Sequence, residues 1–442
     1  MNVLMLTTVF PPEVRSAALL MGELAESLAQ RGHRVTVITA APAGAARRGK
    51  RSLFGVFVED LCGVRVIRIP NFAIHRTHAP AILRGLGQML NAFAFLLAAL
   101  FVKDVDVTLA YSPPLALGIV GAVLHHLRRI PHVLNVQDLV PQYAIDLGIL
   151  KNRSLIRLLK EIERTVYRHV QLITVHSRGN AEYMAREGVE PHKVAIVPNW
   201  VDTRLIRPAA RETAYRQKVG LEGKFVVLFA GMLGFAQDVD TIVEGGTFLS
   251  SRRDIVLLIV GDGVEKERLK EKARCLGLEN VRFMPVVTNQ EYPEVVASAD
   301  LCLATLQKSL LCPVVPSKLL GYMAAGKPIV ASFPEGGDAP RVIREAGCGI
   351  CVPPGDPARL AQAIVEAAAN PAGCRAWGER GRQFVETHHD RSGVVALYES
   401  LFEQFTDGSA PIVEARTRFW RRRPRRISSS DDVPPALTLG GS

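Results

Sequence analysis

Cysteine is scarce and odd in number, with seven in 442 residues. A disulfide framework needs paired, closely spaced cysteines in a small secreted chain, so that class is excluded. One close pair exists, Cys348-Gly-Ile-Cys351. A redox motif of this spacing needs its first thiol at a helix N-terminus, where the dipole lowers the pKa. Here the pair lies in a strand-like stretch, Gly349 to Val352, and residues three apart on a strand point to opposite faces. Both cysteines read as small core residues. A basic, apolar leader is also missing. Met1-Asn-Val-Leu-Met-Leu-Thr-Thr8 reads as a buried strand, which gives the cytoplasm as the expected compartment. No G-x-G-x-x-G follows Thr8, which disfavours dinucleotide use. Long apolar runs are confined to Ala81 to Val102, uninterrupted from Ala92 onward. By length that helix could span a bilayer. Arg84, Gln88 and Asn91, spaced four and three apart, instead form one polar stripe along it. A span would also separate the first strands from the strand candidate Val105–Ala110. The expectation is a helix that packs in its domain or lies on a membrane surface.

What remains is ordinary globular composition, 48% hydrophobic and 22% charged. The length suits two or three domains. The formal net charge is +11 with a pI near 9.5. Part of the excess is local: Pro411 to Ser442 holds seven arginines against Glu414, Asp431 and Asp432. A mildly basic body with a basic tail suits nucleotides, phospholipid surfaces or nucleic acid.

Strands and helices alternate throughout. In the first half, Val3–Thr8, His33–Thr39, Val64–Ile69, Val105–Ala110, His132–Val136, Leu172–Val175 and Val194–Val197 read as buried strands. A helix is expected from about Ala17 to Gln30, closed by Gly32. The second half repeats the pattern with Lys224–Ala230, Asp254–Val260, Val281–Met284, Asp300–Leu303, Pro328–Ala331 and Gly349–Val352. This grammar predicts an α/β chain of two doubly wound parallel sheets joined near Asn199 to Pro208. The expected divisions are 1–205, 206–390, a C-terminal helix at 391–406 and a disordered basic tail at 407–442. Sheets of this kind bind ligands in the crevice beyond their strand C-termini.

Certain segments carry a resemblance. Gly32-His-Arg-Val-Thr-Val, Val136-Gln-Asp-Leu-Val-Pro141, Val197-Pro-Asn-Trp-Val-Asp202, Gly261-Asp-Gly263 and Pro316-Ser-Lys-Leu-Leu-Gly-Tyr-Met-Ala-Ala-Gly-Lys-Pro328 occur in this order. Together they resemble the family-4 glycosyltransferases of GT-B fold, nearest to the colanic-acid and O-antigen type, over about residues 1 to 405. The resemblance implies two facing Rossmann-like domains, with the acceptor in the first and a nucleotide-activated sugar in the second. It also implies transfer with retention of anomeric configuration and no bound metal. The expected partners are a nucleotide sugar and a lipid-linked saccharide at the inner membrane face. The protein is expected there as a peripheral protein, and nucleic acid is not expected.

The residues themselves suit a diphosphate. Ser317 reads as the N-cap of a helix to about Ala325, with Gly326 and Pro328 to stop it. A helix start offers N–H groups and a positive dipole end, and Lys318 adds a full charge. The plain alternative is a cap and a solvated lysine. With the family pattern Ser317, Lys318 and Leu319 become the expected phosphate-binding segment. Gly231-Met-Leu-Gly234 follows a strand, so its backbone can approach a ligand, or it is an ordinary turn. The resemblance places Met232 and Gln237 where many relatives carry an arginine and a lysine. It also assigns Gly261 and Gly263 to the donor site, and Ser16 beside Arg15 to the diphosphate loop of the first domain. Asp138 matches an aspartate that orients a sugar hydroxyl or accepts the acceptor's proton; a turn-capping role is the alternative.

Two carboxylates of the family pattern would fall on Pro313 and Gly321, and neither is acidic. Gly321→Glu is therefore expected to tighten nucleotide binding, and removing the glycine to raise stability. The same departure leaves open a catalytically degenerate, sugar-binding scaffold. Asp104-Val-Asp106 and Asp238-Val-Asp240 have metal-site spacing but more simply flank a strand and begin a helix. His125-His126 and His388-His-Asp390 read as surface groups.

Overall fold

Alternate residues of the first strand divide two cores. In the computed structural model, which describes residues 1–13, 15–42, 55–72 and 81–406, Leu4 and Leu6 join one apolar cluster. Val3 and Met5 join another. A strand buried on both faces with period two belongs inside a doubly wound sheet.

The first sheet has eight strands: β1 (Asn2–Leu6), β2 (Arg34–Ala40), β3 (Phe57–Leu61), β4 (Val64–Ile69), β5 (Val107–Ser112), β6 (His132–Val136), β7 (Leu172–Val175) and β8 (Val194–Ile196). Their spatial order is β3-β4-β2-β1-β5-β6-β7-β8. All pairs are parallel except β3 with β4. β3 was not foreseen, because Phe57-Val-Glu-Asp-Leu61 lacks a continuous apolar run. As an edge strand it needs only one buried face, and Glu59 there pairs with the buried Arg68 at 2.5 Å. The helices are α1 (Ser16–Gln30), α2 (Ala81–Leu100), α3 (Ala116–Arg128), α4 (Gln142–Asp146), α5 (Arg153–His169) and α6 (Arg178–Arg186).

The second sheet has six parallel strands: β9 (Phe225–Ala230), β10 (Ile255–Val260), β11 (Val281–Met284), β12 (Leu301–Thr305), β13 (Ile329–Ser332) and β14 (Gly349–Val352), in the order β11-β10-β9-β12-β13-β14. Its helices are α7 (Ala214–Lys218), α8 (Val239–Phe248), α9 (Lys266–Cys275), α10 (Tyr292–Ala297), α11 (Ser317–Ala324), α12 (Asp338–Ala346), α13 (Pro357–Ala368) and α14 (Pro371–His388). Here too Val226 and Leu228 face one core and Val227 and Phe229 the other.

The last described helix, α15 (Arg391–Thr406), returns to the first sheet. Val394, Val395, Tyr398, Leu401 and Phe402 bury against Val3, Met5, Leu24 and Val37. The return crossing lies beside the outward one: Val201 N donates to His389 O at 2.9 Å, and His389 Nδ1 bonds Asn199 O at 2.7 Å. His389 is therefore not a surface group. It is buried, and desolvation lowers its pKa to about 4. All seven cysteines are free, and burial raises Cys348 to about 12 and Cys351 to about 11, the opposite of a reactive thiol. The basic tail, and the side chain of Arg84 in the expected polar stripe, lie outside the described residues.

Candidate functional site

Segments that follow strands in one sheet meet segments that follow strands in the other. Asp146, beyond β6, accepts from Leu311 N and Cys312 N beyond β12, at 3.0 and 2.7 Å. Asp338, beyond β13, accepts from Gly179 N beyond β7, at 3.2 and 3.1 Å. The carboxyl ends of both sheets thus face one cleft, where open α/β sheets bind ligands.

At a third contact, Ser16 Oγ donates to Ser317 Oγ at 3.2 Å. Ser16 is the first residue of α1 and Ser317 the first of α11. Two helix N-termini therefore meet across the cleft. Each carries roughly half a positive charge, and poles of like sign this close favour an anion between them. Ser317 is not the N-cap that its sequence suggested. Pro316 holds that position with an extended backbone and no side-chain cap bond, so the Ser317 hydroxyl turns to the other domain. By helix geometry the N–H groups of Ser317 and Lys318 have no acceptor within the helix. Leu319 departs from expectation: its N–H donates to Pro316 O at 3.0 Å and its side chain is fully buried, so it anchors the turn. The helix ends as expected, with Gly326 at φ +66 and Lys327 N reaching back to Tyr322 O at 2.9 Å.

Lys318 is half-buried and not a freely solvated side chain. Its Nζ lies 3.6 Å from the centroid of the Phe229 ring and donates to Gln237 Oε1 at 2.6 Å. A Cβ on Gly231 would stand 3.2 Å from Nζ, so the ammonium sits directly beneath the Gly231 turn. Desolvation lowers the Lys318 pKa to about 7. Gly231, Gln237 and Lys318, which the sequence named separately, thus form one group. Gly234 begins the short 3-10 turn, residues 235–237, that carries Gln237. The Thr305 hydroxyl and Gln307 N hold this turn through Gln237 O and Ala236 O. Met232 and Phe235 are exposed beside it.

Gly261 and Gly263 stand one layer behind. A Cβ on Gly261 would lie 1.9 Å from Gly231 O, and one on Gly263 would lie 2.3 Å from Leu233 O. Their lack of side chains lets β10's loop press against the Gly231 turn and shape it. Tyr322, missed in the sequence, fixes α11 from below by accepting from Ala230 N at 2.9 Å.

Gly321 is buried, and its side-chain space is occupied. A Cβ there would stand 2.9 Å from Tyr292 Oη and 3.2 Å from Tyr292 Cε1. The expectation that removing this glycine raises stability is corrected: the gain in helix propensity meets a phenol packed into the gap.

On the other wall, burial raises the Asp138 carboxyl above the usual range. Tyr111 and Tyr143 are raised too, Tyr143 to about 12, first by burial and then by this carboxylate. Gln137 bonds Asn135 and Asn199 at 2.8 and 2.9 Å, locking the preceding residue to the interdomain joint. The paired aspartates have other partners. Asp240 pairs with Arg268 and Lys272, Asp238 accepts from Thr241 and Gln307, and Asp106 accepts from Asn2 N. Among the described residues no group of three His, Cys, Asp or Glu side chains could hold a metal ion.

Two facing, doubly wound domains with an anion-ready helix start on the cleft define the GT-B class of transferases. The family described as "Glycosyl transferase 4-like domain" matches residues 18–200, and that described as "Glycosyl transferases group 1" matches residues 211–384. The chain belongs to the family-4 glycosyltransferases of GT-B fold. It is 25% identical to the putative colanic acid biosynthesis glycosyl transferase WcaI of Escherichia coli, over 90% of this chain and 98% of that one. Among solved structures it resembles sucrose-phosphate synthase from Thermosynechococcus elongatus, with TM-score 0.74, 18% identity, and coverage of 92% and 100%. Anabaena HepE in complex with UDP matches with TM-score 0.69, 18% identity, and coverage of 91% and 100%.

Proposed function

We propose that this glycosyltransferase moves a sugar, with retention of configuration, from a nucleoside-diphosphate sugar to a lipid-linked saccharide in polysaccharide assembly. One observation carries the reading: α1 and α11 meet N-terminus to N-terminus beside Lys318. A diphosphate between them satisfies both dipoles and restores the proton that burial makes costly for Lys318. The likeness to HepE with UDP and to a colanic-acid relative supports the donor and the polymer. No metal is assigned, since the helix ends and Lys318 supply the charge that a cation otherwise would.

Chemically, the leaving diphosphate gains negative charge as the glycosidic C–O bond breaks. The Ser317 and Lys318 N–H groups and the Lys318 ammonium stabilise that charge more in the transition state than in the ground state. Retention by front-face attack needs no protein nucleophile. The incoming hydroxyl loses its proton to the departing phosphate oxygen or to Asp138, whose carboxylate burial makes more basic than usual. We place the reaction at the inner face of the cytoplasmic membrane, with the protein held peripherally.

The test is a thermal-shift panel of nucleotide sugars, followed by assay of released nucleoside diphosphate. A true donor at a hundredfold its Kd adds about 2.7 kcal/mol to stability. If neither nucleotide sugars nor nucleoside diphosphates raise the melting temperature, the reading fails. Tyr292 in the space of the family carboxylate favours a second reading, a sugar-binding scaffold, which predicts binding without release.

A further inference from the structure

α2 is turned inside out. A surface helix ordinarily buries its apolar face and exposes its polar one. In α2 the polar residues point inward: Asn91 is only 2% exposed, accepts from Phe72 N at 2.8 Å and donates to Asn71 Oδ1 at 3.3 Å. Gln88 Oε1 is buried with no hydrogen-bond partner among the described residues. Ala92, Phe95 and Ala99 fill the rest of the inner face. The outward positions Leu86, Leu90, Phe93, Leu97 and Leu100 are 39% to 59% exposed, and Phe101 beyond them is 85% exposed. No charged residue occurs from position 85 to 102. The result is an apolar stripe about 20 Å long at 1.5 Å per residue, facing solvent. The expected polar stripe of Gln88 and Asn91 is thus real, but it lies on the buried side.

The end of the stripe is cationic. Arg128, at the end of α3, donates to Val102 O at 2.7 Å and draws the two helix ends together. Leu127 is 65% exposed beside Arg128, and Lys103 and Arg129 are exposed next to Val102 and Arg128 in sequence. The acids of these segments are exposed Asp104 and half-buried Asp106, which accepts from Asn2 N. An apolar band with a basic rim complements an anionic lipid surface. Among the described residues no helix is long and apolar enough to cross a membrane. Topology also sets the orientation. α2 follows β4, whose carboxyl end is at the cleft edge of the sheet, so the stripe starts near the cleft and runs away from it.

We propose that α2 is an interfacial helix that seats the first domain on an anionic bilayer, with the cleft rim near the headgroups. This rests on the reading above that the acceptor is lipid-linked, and it supplies the surface by which that acceptor is reached. The test uses the full chain and vesicles of phosphatidylglycerol and phosphatidylcholine, at low salt and at 1 M salt, where the Debye length is about 3 Å. Wild type is expected to co-sediment at low salt and to keep a measurable bound fraction at 1 M, since apolar insertion is not screened. The double variant Phe93→Glu, Leu97→Glu should lose that salt-resistant fraction by at least tenfold. Both positions are exposed, so its melting temperature should stay at the wild-type value, and so should its thermal shift with nucleotide sugar. Equal sedimentation of variant and wild type would overturn the proposal. So would a wild-type dimer that ignores vesicles and that the variant splits. Vesicle binding with no nucleotide-sugar shift in either protein would leave the helix assignment standing and sink the glycosyl-transfer reading instead.

Discussion

Lys318 offers the sharpest test of the site. In the free protein its ammonium is stacked on Phe229, bonded to Gln237 and lowered to a pKa of about 7 by desolvation. Removing it with Lys318→Ala deletes a charged hydrogen bond to the diphosphate, worth about 1.5–3 kcal/mol. The donor Kd should rise roughly 10- to 150-fold, at 1.4 kcal/mol per decade. The wild-type pH profile adds an independent check. The bound diphosphate favours charged lysine, so the pKa in the complex lies above that of the free protein. Binding then takes up a proton wherever the pH lies between the two values. Below pH 7 the lysine is already charged and affinity is flat with respect to this group. Above pH 7 the charged fraction falls, and Kd should rise about tenfold per pH unit until the complex itself titrates. Calorimetry at pH 8 in two buffers of different ionisation enthalpy counts the proton directly, with close to one expected for wild type and none for Lys318→Ala. An unchanged Kd in a correctly folded Lys318→Ala protein, or zero proton uptake by wild type at pH 8, would refute the assignment.

The remaining expectations follow from packing and charge. Gly321→Ala should destabilise the fold by roughly 1–3 kcal/mol through overpacking against Tyr292, and Tyr292→Ala in the same chain should recover part of it; equal melting temperatures for wild type and Gly321→Ala would count against that packing. His132, His176 and His389 are buried neutral, lowered to about 3, 4 and 4 chiefly by desolvation. Their folded pKa values lie below the unfolded 6.5, so stability is full above pH 6.5 and drops on acidification by up to about 1.4 kcal/mol per pH unit for each histidine. Thermal melts between pH 6.5 and 5 should show this, with His176→Gln reducing the slope by about a third; a flat profile would contradict the burial of these rings. Deleting residues 407–442 removes seven arginines and should weaken low-salt binding to anionic vesicles, by up to about 1 kcal/mol per basic residue near the surface. Sedimentation equal to the full chain would leave the tail without a membrane role.

The sequence determined the architecture. Buried strands must be apolar on both faces, and runs such as Val226-Val-Leu-Phe-Ala230 announce this without any partner in view. Expected strands match the observed ones within a residue or two because short continuous apolar runs and flanking glycines are local signals. The motif residues Ser16, Gly231, Gln237 and Lys318 were legible for the same reason: each sits just beyond a strand or at a helix start. Their convergence was not. Ser16 and Ser317 are separated by about three hundred residues, and nothing local says that their hydroxyls meet. Asp146 and Asp338, whose carboxylates tie the two domains, gave no sequence signal, because their partners are backbone N–H groups of the opposite domain. Only tertiary packing could show that Tyr292 fills the space above Gly321, that Leu319 points into the core, and that His389 is buried at the chain crossing. For α2 the periodicity fixed which residues share a face but not which face turns inward. The Asn91 bonds to residues 71 and 72, from a loop beyond β4, decided that the polar side is buried and the apolar side exposed. Local sequence sets what each segment can be, while burial and pairing depend on which distant segment closes over it.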